Sequence, residues 1–200
     1  MLKRCRWAGT VPVYVRYHDR EWGVPVHNDR KLFEFLVLEG AQAGLSWITV
    51  LRKRTAYRQA FDKFDFNKVS AYSESNVREL LSNAGIIRNE LKIRSAIHNA
   101  RAFISLREEF GTFNRYIWQF VGHRPLQNRW KHTRDIPPRT ALSDQISKDL
   151  KQRGFSFVGS TIIYAHMQAT GMVNDHTTDC FRYHEIKKLG AERKKITVKR

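Results

Sequence analysis

The apolar positions of this chain recur in steps of three and four residues, which is the spacing of helices, and the sequence shows no sustained strand alternation. One stripe follows a helix start at Asn28 and Asp29. Its members are Leu32, Phe35, Leu36, Ala43, Trp47, Val50 and Leu51. Because Gly40 and Gly44 interrupt this stripe, we predict two helices separated by a break.

A helix pair is predicted over about residues 75–104. The first helix carries Val77, Leu80, Leu81 and Ala84, and the second carries Ile93, Ala96, Ile97, Ala100, Phe103 and Ile104. Between the two stripes, Gly85 to Arg88 break the pattern. This break predicts a tight turn between two helices.

Further helices are predicted over 113–121, from Ser143 to Gly154, and over about 160–170. The first 28 residues are predicted to be irregular. Residues 123–138 are polar and rich in arginine and proline, which is typical of turns. We therefore predict an all-α fold with a single domain over residues 1–180.

The charge balance indicates a polyanionic partner. The 200 residues include 36 Lys and Arg against 19 Asp and Glu, which gives a net charge of +17. Such a balance is typical of nucleic-acid-binding proteins, although a basic cytosolic protein of another kind would share it. Residues 181–200 hold eight basic and two acidic side chains, and we predict that they form a flexible tail that adds nonspecific DNA affinity.

Several classes of protein are disfavoured by the sequence. No apolar run approaches the roughly 18 residues of a membrane span, and the basic N-terminus leads into no apolar signal segment. Two cysteines cannot build a disulfide-rich scaffold. We expect a monomer in the cytoplasm, with no membrane partner.

Two cysteines and two histidines form a candidate metal site. His18 follows Cys5 by thirteen residues, and Cys180 follows His176 by four. Because residues four apart lie on one face of a helical turn, His176 and Cys180 could bind one ion. Two thiolates and two imidazoles can form the closed tetrahedral shell of a structural Zn²⁺. The spacing matches no zinc-finger pattern, and the alternative is a chance pairing of histidines with buried free cysteines.

Glu39 lies on the first apolar stripe, so its carboxylate is predicted to point inward. A buried carboxylate needs a partner. One hypothesis is a salt bridge to an Arg or Lys, and the other is a pocket that receives a cationic or hydrogen-bond-donating ligand. Trp47 would lie on nearly the same face if the helix continues, and a carboxylate beside a large ring suits a flat, electron-poor ligand.

The turn at Gly85 to Arg88 is a candidate phosphate site. A turn led by glycine exposes backbone N–H groups at a helix start, which suits an anion. In a chain of net charge +17 that anion would be DNA. A plain connection between two antiparallel helices is the alternative.

These residues lie within longer stretches that resemble the bacterial DNA-3-methyladenine glycosylase I family over about residues 3–180. The stretches are Tyr17 to Asp19, Glu21 to Pro25, Leu38 to Leu51, Ala84 to Arg88, Arg153 to Gly159 and Val173 to His176. The resemblance implies a helix-hairpin-helix glycosylase that flips 3-methyladenine out of duplex DNA. It would hydrolyse the N-glycosidic bond and leave an abasic site without cutting the strand.

The resemblance also implies roles for particular residues. One structural zinc ion would bind Cys5, His18, His176 and Cys180. The base pocket would contain Glu39, Tyr17 and Trp47, with Tyr14 and Trp22 nearby. The hairpin that contacts DNA would contain Gly85, Ile86, Ile87 and Arg88. The family lacks the catalytic aspartate of related glycosylases, and because the methylated base is cationic and leaves neutral, pocket binding would carry most of the catalysis.

Two other functions remain open from the sequence. A zinc-stabilised DNA-binding protein without catalysis would bind DNA but release no base, and it would not need Glu39 on an apolar stripe. A basic RNA-associated protein would prefer RNA to duplex DNA.

Overall fold

The computed structural model describes residues 2–192, and this part of the chain is mostly helical. It contains ten α-helices: α1 (Pro12–Arg20), α2 (Asp29–Gln42), α3 (Trp47–Ala60), α4 (Phe66–Ser70), α5 (Glu74–Ser82), α6 (Glu90–Phe110), α7 (Phe113–Gln119), α8 (Ala141–Gln152), α9 (Ser160–Ala169) and α10 (Phe181–Glu192). Two strands of two residues, β1 (Leu126–Gln127) and β2 (Val173–Asn174), pair in parallel. The predicted all-α fold is confirmed. Within residues 2–192, no helix combines the length and the apolar character needed to cross a membrane.

Helix α2 lies at the centre of the fold. All ten residues from Leu32 to Ala41 are buried, and the helix packs against α3, α6, α7 and α9. A helix that is apolar on every side is stable only in the interior of a domain. Asn28 caps its first turn by accepting a hydrogen bond of 3.0 Å from the Lys31 N–H. Glu39, near the other end, is carried into the interior with its apolar neighbours.

The predicted break after α2 is confirmed. Helix α2 ends at Gln42, α3 begins at Trp47, and Gly44 between them has a φ of +76°. Glycine adopts this left-handed conformation without the steric cost of a Cβ atom. The turn therefore places Trp47 on a new helix rather than further along the helix that carries Glu39.

The other predicted helices are also present. The helix pair predicted over about 75–104 corresponds to α5 and α6, which are joined by residues 83–89. The helices predicted over 113–121, from Ser143, and over 160–170 correspond to α7, α8 and α9, with ends shifted by up to two residues. Apolar periodicity therefore located each of these helices.

Two predictions about the ends of the chain are wrong. The N-terminal segment is not irregular throughout, because α1 begins at Pro12, whose fixed φ favours the first position of a helix. The start of the predicted flexible tail is helix α10, in which Tyr183 and Ile186 are buried. Two apolar side chains three positions apart face the same side of a helix, and here that side packs against the body. The rest of the predicted tail, residues 193–200, lies outside the described residues.

Candidate active site and metal cluster

A cavity of about 360 Å³ lies between α1, α2, α3, α9 and the loop that follows residue 132. Its wall combines aromatic rings with a few polar groups. The lining residues include Trp7, Tyr14, Tyr17, Trp22, Glu39, Gln42, Trp47, Thr133, Ile136, Pro137, Pro138, Tyr164 and Gln168. The five side chains that the sequence assigned to a base pocket thus border one cavity.

The aromatic rings of the cavity pack against one another in tilted and edge-to-face contacts. The centroids of Tyr17 and Trp47 are 5.6 Å apart at 56°, and those of Trp7 and Trp22 are 4.9 Å apart at 72°. The Tyr14 hydroxyl accepts a hydrogen bond of 3.1 Å from the backbone N–H that follows Trp47, which fastens α3 to α1. Such rings provide rigid apolar faces for a planar ligand.

Glu39 is 2% exposed, and its two carboxylate oxygens have different surroundings. Oε2 lies 3.0 Å from Nδ1 of the fully buried His166. Oε1 is buried and has no hydrogen-bond partner among the residues that the structure describes. Because an unpaired buried acceptor is costly, Oε1 is a ready site for a donor on a ligand. The salt bridge to an Arg or Lys that the sequence left open is replaced by the contact with His166.

Burial raises the pKa of Glu39, and the neighbouring His166 and the more distant Arg54 oppose this effect. Arg54 is itself paired, since its Nε donates to Glu34 Oε1 at 2.7 Å. The pKa of Tyr17 is well above its ordinary range, chiefly because of burial and then because of the charge of Glu39. The Tyr17 hydroxyl therefore stays protonated at neutral pH and can donate a hydrogen bond.

Asp175 holds the α9 wall of the cavity in place. Its Oδ2 accepts hydrogen bonds from the Tyr164 hydroxyl at 2.6 Å and from Gln168 Nε2 at 2.8 Å. Its Oδ1 accepts from Asn128 at 2.6 Å and from Trp130 at 2.8 Å. With both oxygens engaged, Asp175 ties the loop before α8 to α9.

Sequence reasoning missed two parts of this site. His166 lies inside the apolar stripe of α9, and a polar residue in such a stripe is the same signal that singled out Glu39. The loop bearing Ile136, Pro137 and Pro138 was assigned to turns, yet these side chains border the cavity. Apolar periodicity describes contacts within one helix, so it cannot predict which loop packs over which helix.

The predicted metal quartet is brought together. The ligand atoms of Cys5, His18, His176 and Cys180 lie within 4.8 Å of one another, and all four residues are buried. Cys180 Sγ lies 3.4 Å from His18 Nε2 and 3.5 Å from His176 Nδ1. Bond lengths of about 2.3 Å to sulfur and 2.1 Å to nitrogen in a tetrahedral shell give an S···N separation of about 3.5 Å. The four side chains therefore have the spacing of a metal site.

The neighbours of the two histidines fix which ring nitrogen keeps the lone pair that a metal needs. His18 Nδ1 lies 2.8 Å from a carboxylate oxygen of Asp19, which only accepts, so the ring donates there and the lone pair stays on Nε2. In this structure Nε2 accepts a hydrogen bond of 3.3 Å from the Cys5 N–H. His176 Nε2 donates to the Trp22 carbonyl at 3.0 Å, which leaves Nδ1 as the ligand atom. The two thiols are coupled: the hydrogen bond with Cys5 and those with the two histidines lower the pKa of Cys180, whereas the hydrogen bond with Cys180 and burial raise the pKa of Cys5.

The turn between α5 and α6 uses the N–H groups that the sequence offered to a phosphate. The Gly85 N–H donates to Asn83 Oδ1 at 2.8 Å, and the Ile86 N–H donates to the Asn83 carbonyl at 3.3 Å. The Ile87 N–H donates to the Tyr57 hydroxyl at 3.2 Å. Each of these three donors thus has an acceptor within the protein, and the phosphate contact through them stays a prediction.

The start of α6 keeps an exposed cation and is linked to the pocket. Arg88 is exposed, and Leu91 is 70% exposed beside it. Lys92 Nζ donates to the carbonyls of Ala41 at 2.9 Å and Ala43 at 2.5 Å, at the end of the helix that carries Glu39. The ammonium group thus joins the hairpin to the turn that leads into α3.

Comparison with known proteins identifies the family. The methyladenine glycosylase profile matches residues 7–183. The DNA-3-methyladenine glycosylase 1 of Escherichia coli (strain K12) is 49% identical over 182 residues, which cover 91% of this chain and 97% of that protein. This chain belongs to the methyladenine glycosylase family. The DNA-3-methyladenine glycosylase of Haemophilus influenzae is 44% identical over 180 residues, which cover 90% of this chain and 97% of its own.

Solved structures share the fold. A crystal structure of 3-methyladenine DNA glycosylase I is 49% identical, with a TM-score of 0.87 over 90% of this chain and 98% of that one. The Staphylococcus aureus enzyme, described for its recognition of 3-methyladenine, is 32% identical, with a TM-score of 0.87 over 90% of this chain and 96% of its own. The family and the helical glycosylase fold expected from the sequence are both confirmed.

Proposed function

We propose that this protein excises 3-methyladenine from alkylated DNA by hydrolysing the N-glycosidic bond and leaves an abasic site. Family membership supports the proposal, together with one observation at the site. Glu39 lines an aromatic cavity, and its buried Oε1 has no hydrogen-bond partner among residues 2–192. A DNA-binding protein without catalysis has no need of such a residue.

The cavity suits a cationic purine. Methylation at N3 places a positive charge on the adenine ring system, and Trp47 and Tyr17 offer aromatic faces to it. Glu39 Oε1 would accept a hydrogen bond from the exocyclic amino group, and the Tyr17 hydroxyl would donate to a ring nitrogen. His166 would hold the other carboxylate oxygen throughout. The cation also restores the ionised form of Glu39, which burial disfavours.

The chemistry needs little help from a general acid. The glycosidic bond of the methylated nucleotide is already weakened, because its electrons neutralise the ring as the base leaves. Water then attacks an oxocarbenium-like sugar. The base must first rotate out of the helix, at a cost of a few kcal/mol that is smaller for a damaged base. The pocket would offset this cost by binding the extruded ring.

The metal cluster would hold one structural Zn²⁺. The residues fit such an ion by their spacing, their burial and the ring nitrogens that keep a lone pair inside the cluster. With four protein ligands the shell is closed, so the metal would stabilise the fold by tying the N-terminal segment to the start of α10. No step of the base release passes through it.

DNA would reach the pocket along the hairpin formed by α5 and α6. Because the N–H groups of Gly85, Ile86 and Ile87 have acceptors within the protein, we place the first phosphate contact of this turn at the exposed Arg88 and the first turn of α6. We place the protein in the cytoplasm as a monomer, because its substrate is intracellular DNA and each chain contains a full pocket.

Binding of the free base tests the proposal without DNA. Three tryptophans, Trp7, Trp22 and Trp47, line the cavity, so a bound purine should quench their fluorescence. Saturable quenching by 3-methyladenine, and at least about tenfold weaker binding of adenine, are expected. Equal response to both bases, or none to either, would contradict the assignment of the pocket.

A further inference from the structure

A second depression borders the cavity and is strongly basic. It encloses about 870 Å³ and is lined by the segment of residues 3–7, by residues 131–134, and by Thr177 and Asp179. Its cationic side chains are Lys3, Arg4, Arg6, Lys131 and Arg134. Asp179 is its only carboxylate in the described part of the chain. We call this surface the basic groove.

Some of these cations are neutralised within the protein and others are not. Lys3 pairs with Asp179 at 2.7 Å, and Arg4 pairs with a neighbouring carboxylate of α1 at 2.9 Å. Within residues 2–192, Arg6 and Lys131 make no ion pair, and both are exposed. The Arg134 side chain is 84% exposed, and its one ion pair with a described residue is a long contact of 3.9 Å to Asp135. Three cations therefore remain available to an anionic partner.

The basic groove and the cavity share two residues, Trp7 and Thr133. The indole Nε1 of Trp7 and the Oγ1 of Thr133 are buried, and neither has a hydrogen-bond partner in the part of the chain that the structure describes. Two unpaired polar atoms at the boundary of two depressions are positioned for a ligand that enters both. A flipped nucleotide is such a ligand, because its base would fill the cavity while its phosphates stay at the mouth.

Both rims of the basic groove are fixed to the body. Cys5, between Arg4 and Arg6, belongs to the metal cluster and accepts a hydrogen bond of 3.4 Å from the Thr177 N–H. On the other rim, the carbonyl of Trp130 accepts a hydrogen bond of 2.9 Å from the N–H that follows Thr177. The cations are thus held on short segments with anchored ends, which limits the entropy lost on binding.

We propose that the basic groove binds the sugar–phosphate backbone of the damaged strand beside the flipped nucleotide, with Arg6, Lys131 and Arg134 on its phosphates. Trp7 Nε1 and Thr133 Oγ1 donate to the phosphate nearest the extruded base. The inference rests on the proposed function, since it needs a base in the cavity. The hairpin would then hold the duplex at a second place.

A charge-removal variant tests this surface. The triple variant Arg6→Gln, Lys131→Gln, Arg134→Gln is compared with the wild type on a duplex that carries one tetrahydrofuran abasic-site analogue. The slope of log Kd against log salt should fall by about two to three, since each lost phosphate contact removes about 0.9 from it. Binding of free 3-methyladenine should stay within about twofold of wild type.

A matched control removes the same charge elsewhere. Lys63, Lys68 and Arg115 are exposed and do not line the basic groove, and their replacement by Gln should change the slope by less than one. A triple groove variant with a wild-type slope would overturn the inference. So would a loss of affinity that is equal for the abasic duplex and for an undamaged one.

Uncharged linkages in the DNA backbone can locate the contact between the basic groove and the phosphates. Methylphosphonates placed one at a time within two nucleotides of the lesion on the damaged strand should weaken wild-type binding at least about threefold. The same substitutions should have no further effect on the triple groove variant. Equal sensitivity of both proteins at every position would place the backbone elsewhere. Failure of the wild type to release base from methylated DNA would instead overturn the proposed function, and this result is independent of the slopes.

Discussion

Replacing Glu39 with Gln separates the electrostatic role of this carboxylate from its role in packing. The amide has nearly the same size, and its oxygen can still accept the hydrogen bond from His166 Nδ1, 3.0 Å from Oε2 in the structure. The change removes a negative charge and replaces the unpaired acceptor Oε1 with a donor. We therefore expect the variant to fold and to lose base release.

The size of the loss follows from the distance between charges. Two unit charges about 4 Å apart interact by about 4 kcal/mol at an effective dielectric constant of about 20. In the transition state the positive charge moves from the base toward the sugar, which is further from Glu39, so only part of this energy is realised. We expect kcat/KM for release of 3-methyladenine to fall at least about tenfold, or about 1.4 kcal/mol.

The pH dependence of stability gives an independent check. Burial raises the pKa of Glu39 above its ordinary value of 4.5, against the opposing charges of His166 and Arg54 and beside a neutral Tyr17. A group whose pKa is higher in the folded state than in the unfolded state favours folding at pH values below its unfolded pKa. This contribution to stability is lost as the pH rises through the folded pKa. The melting temperature of Glu39→Gln relative to wild type should therefore increase from about pH 4 to pH 7.

The two measurements on one preparation decide the role of Glu39. Single-turnover release of base from methylated DNA gives the kinetic effect, and thermal melts across pH give the stability. A well-folded variant with full activity would remove Glu39 from the site. A variant whose activity falls only in proportion to a lower melting temperature would show that Glu39 has a structural role alone.

Three other changes probe the parts that surround the pocket. Cys180→Ser should lower zinc content and melting temperature together, because it removes a ligand from the cluster; an unchanged melt in chelator and metal-free protein would contradict a structural zinc. Ile186→Ala should lower the free energy of unfolding by about 2–4 kcal/mol, since this side chain is fully buried, whereas a denaturation midpoint equal to wild type would mean that α10 does not dock in solution. Lys92→Met should slow base release at saturating enzyme while the affinity for undamaged duplex stays within about twofold, because Lys92 fastens the turn before Trp47; equal losses in both would show that the ammonium group contacts DNA instead.

Apolar spacing predicted the helices that pack along their whole length, because a helix that buries one face carries apolar residues at every third or fourth position. The same reasoning predicted that Glu39 points inward, since a polar residue within such a stripe cannot avoid the core. It did not predict the His166 partner, because spacing within α2 says nothing about which face of α9 lies against it. It left open whether Trp47 continues the helix of Glu39, and the turn at Gly44 brings the indole to the same cavity on a separate helix.

At the C-terminal end of the chain, overall composition predicted the structure less well than the positions of the apolar residues. The high charge of residues 181–200 favours a solvated tail, yet Tyr183 and Ile186 dock α10 against the body. The metal quartet shows the opposite case. Sequence spacing alone gave weak support for a metal site, yet in the structure the four ligand atoms converge. They do so because α10 begins beside the N-terminal segment, where the Phe181 N–H donates to the Lys3 carbonyl at 2.9 Å.

Release of the free base from methylated DNA tests the central claim most directly. Purified protein is incubated with DNA that carries 3-methyladenine, and the soluble bases are separated and identified by mass, with Glu39→Gln and unmethylated DNA as controls. The account predicts free 3-methyladenine at a rate proportional to protein concentration, with strands that stay intact until alkali cleaves the abasic sites. Binding of the methylated duplex without any base above the protein-free control would contradict it.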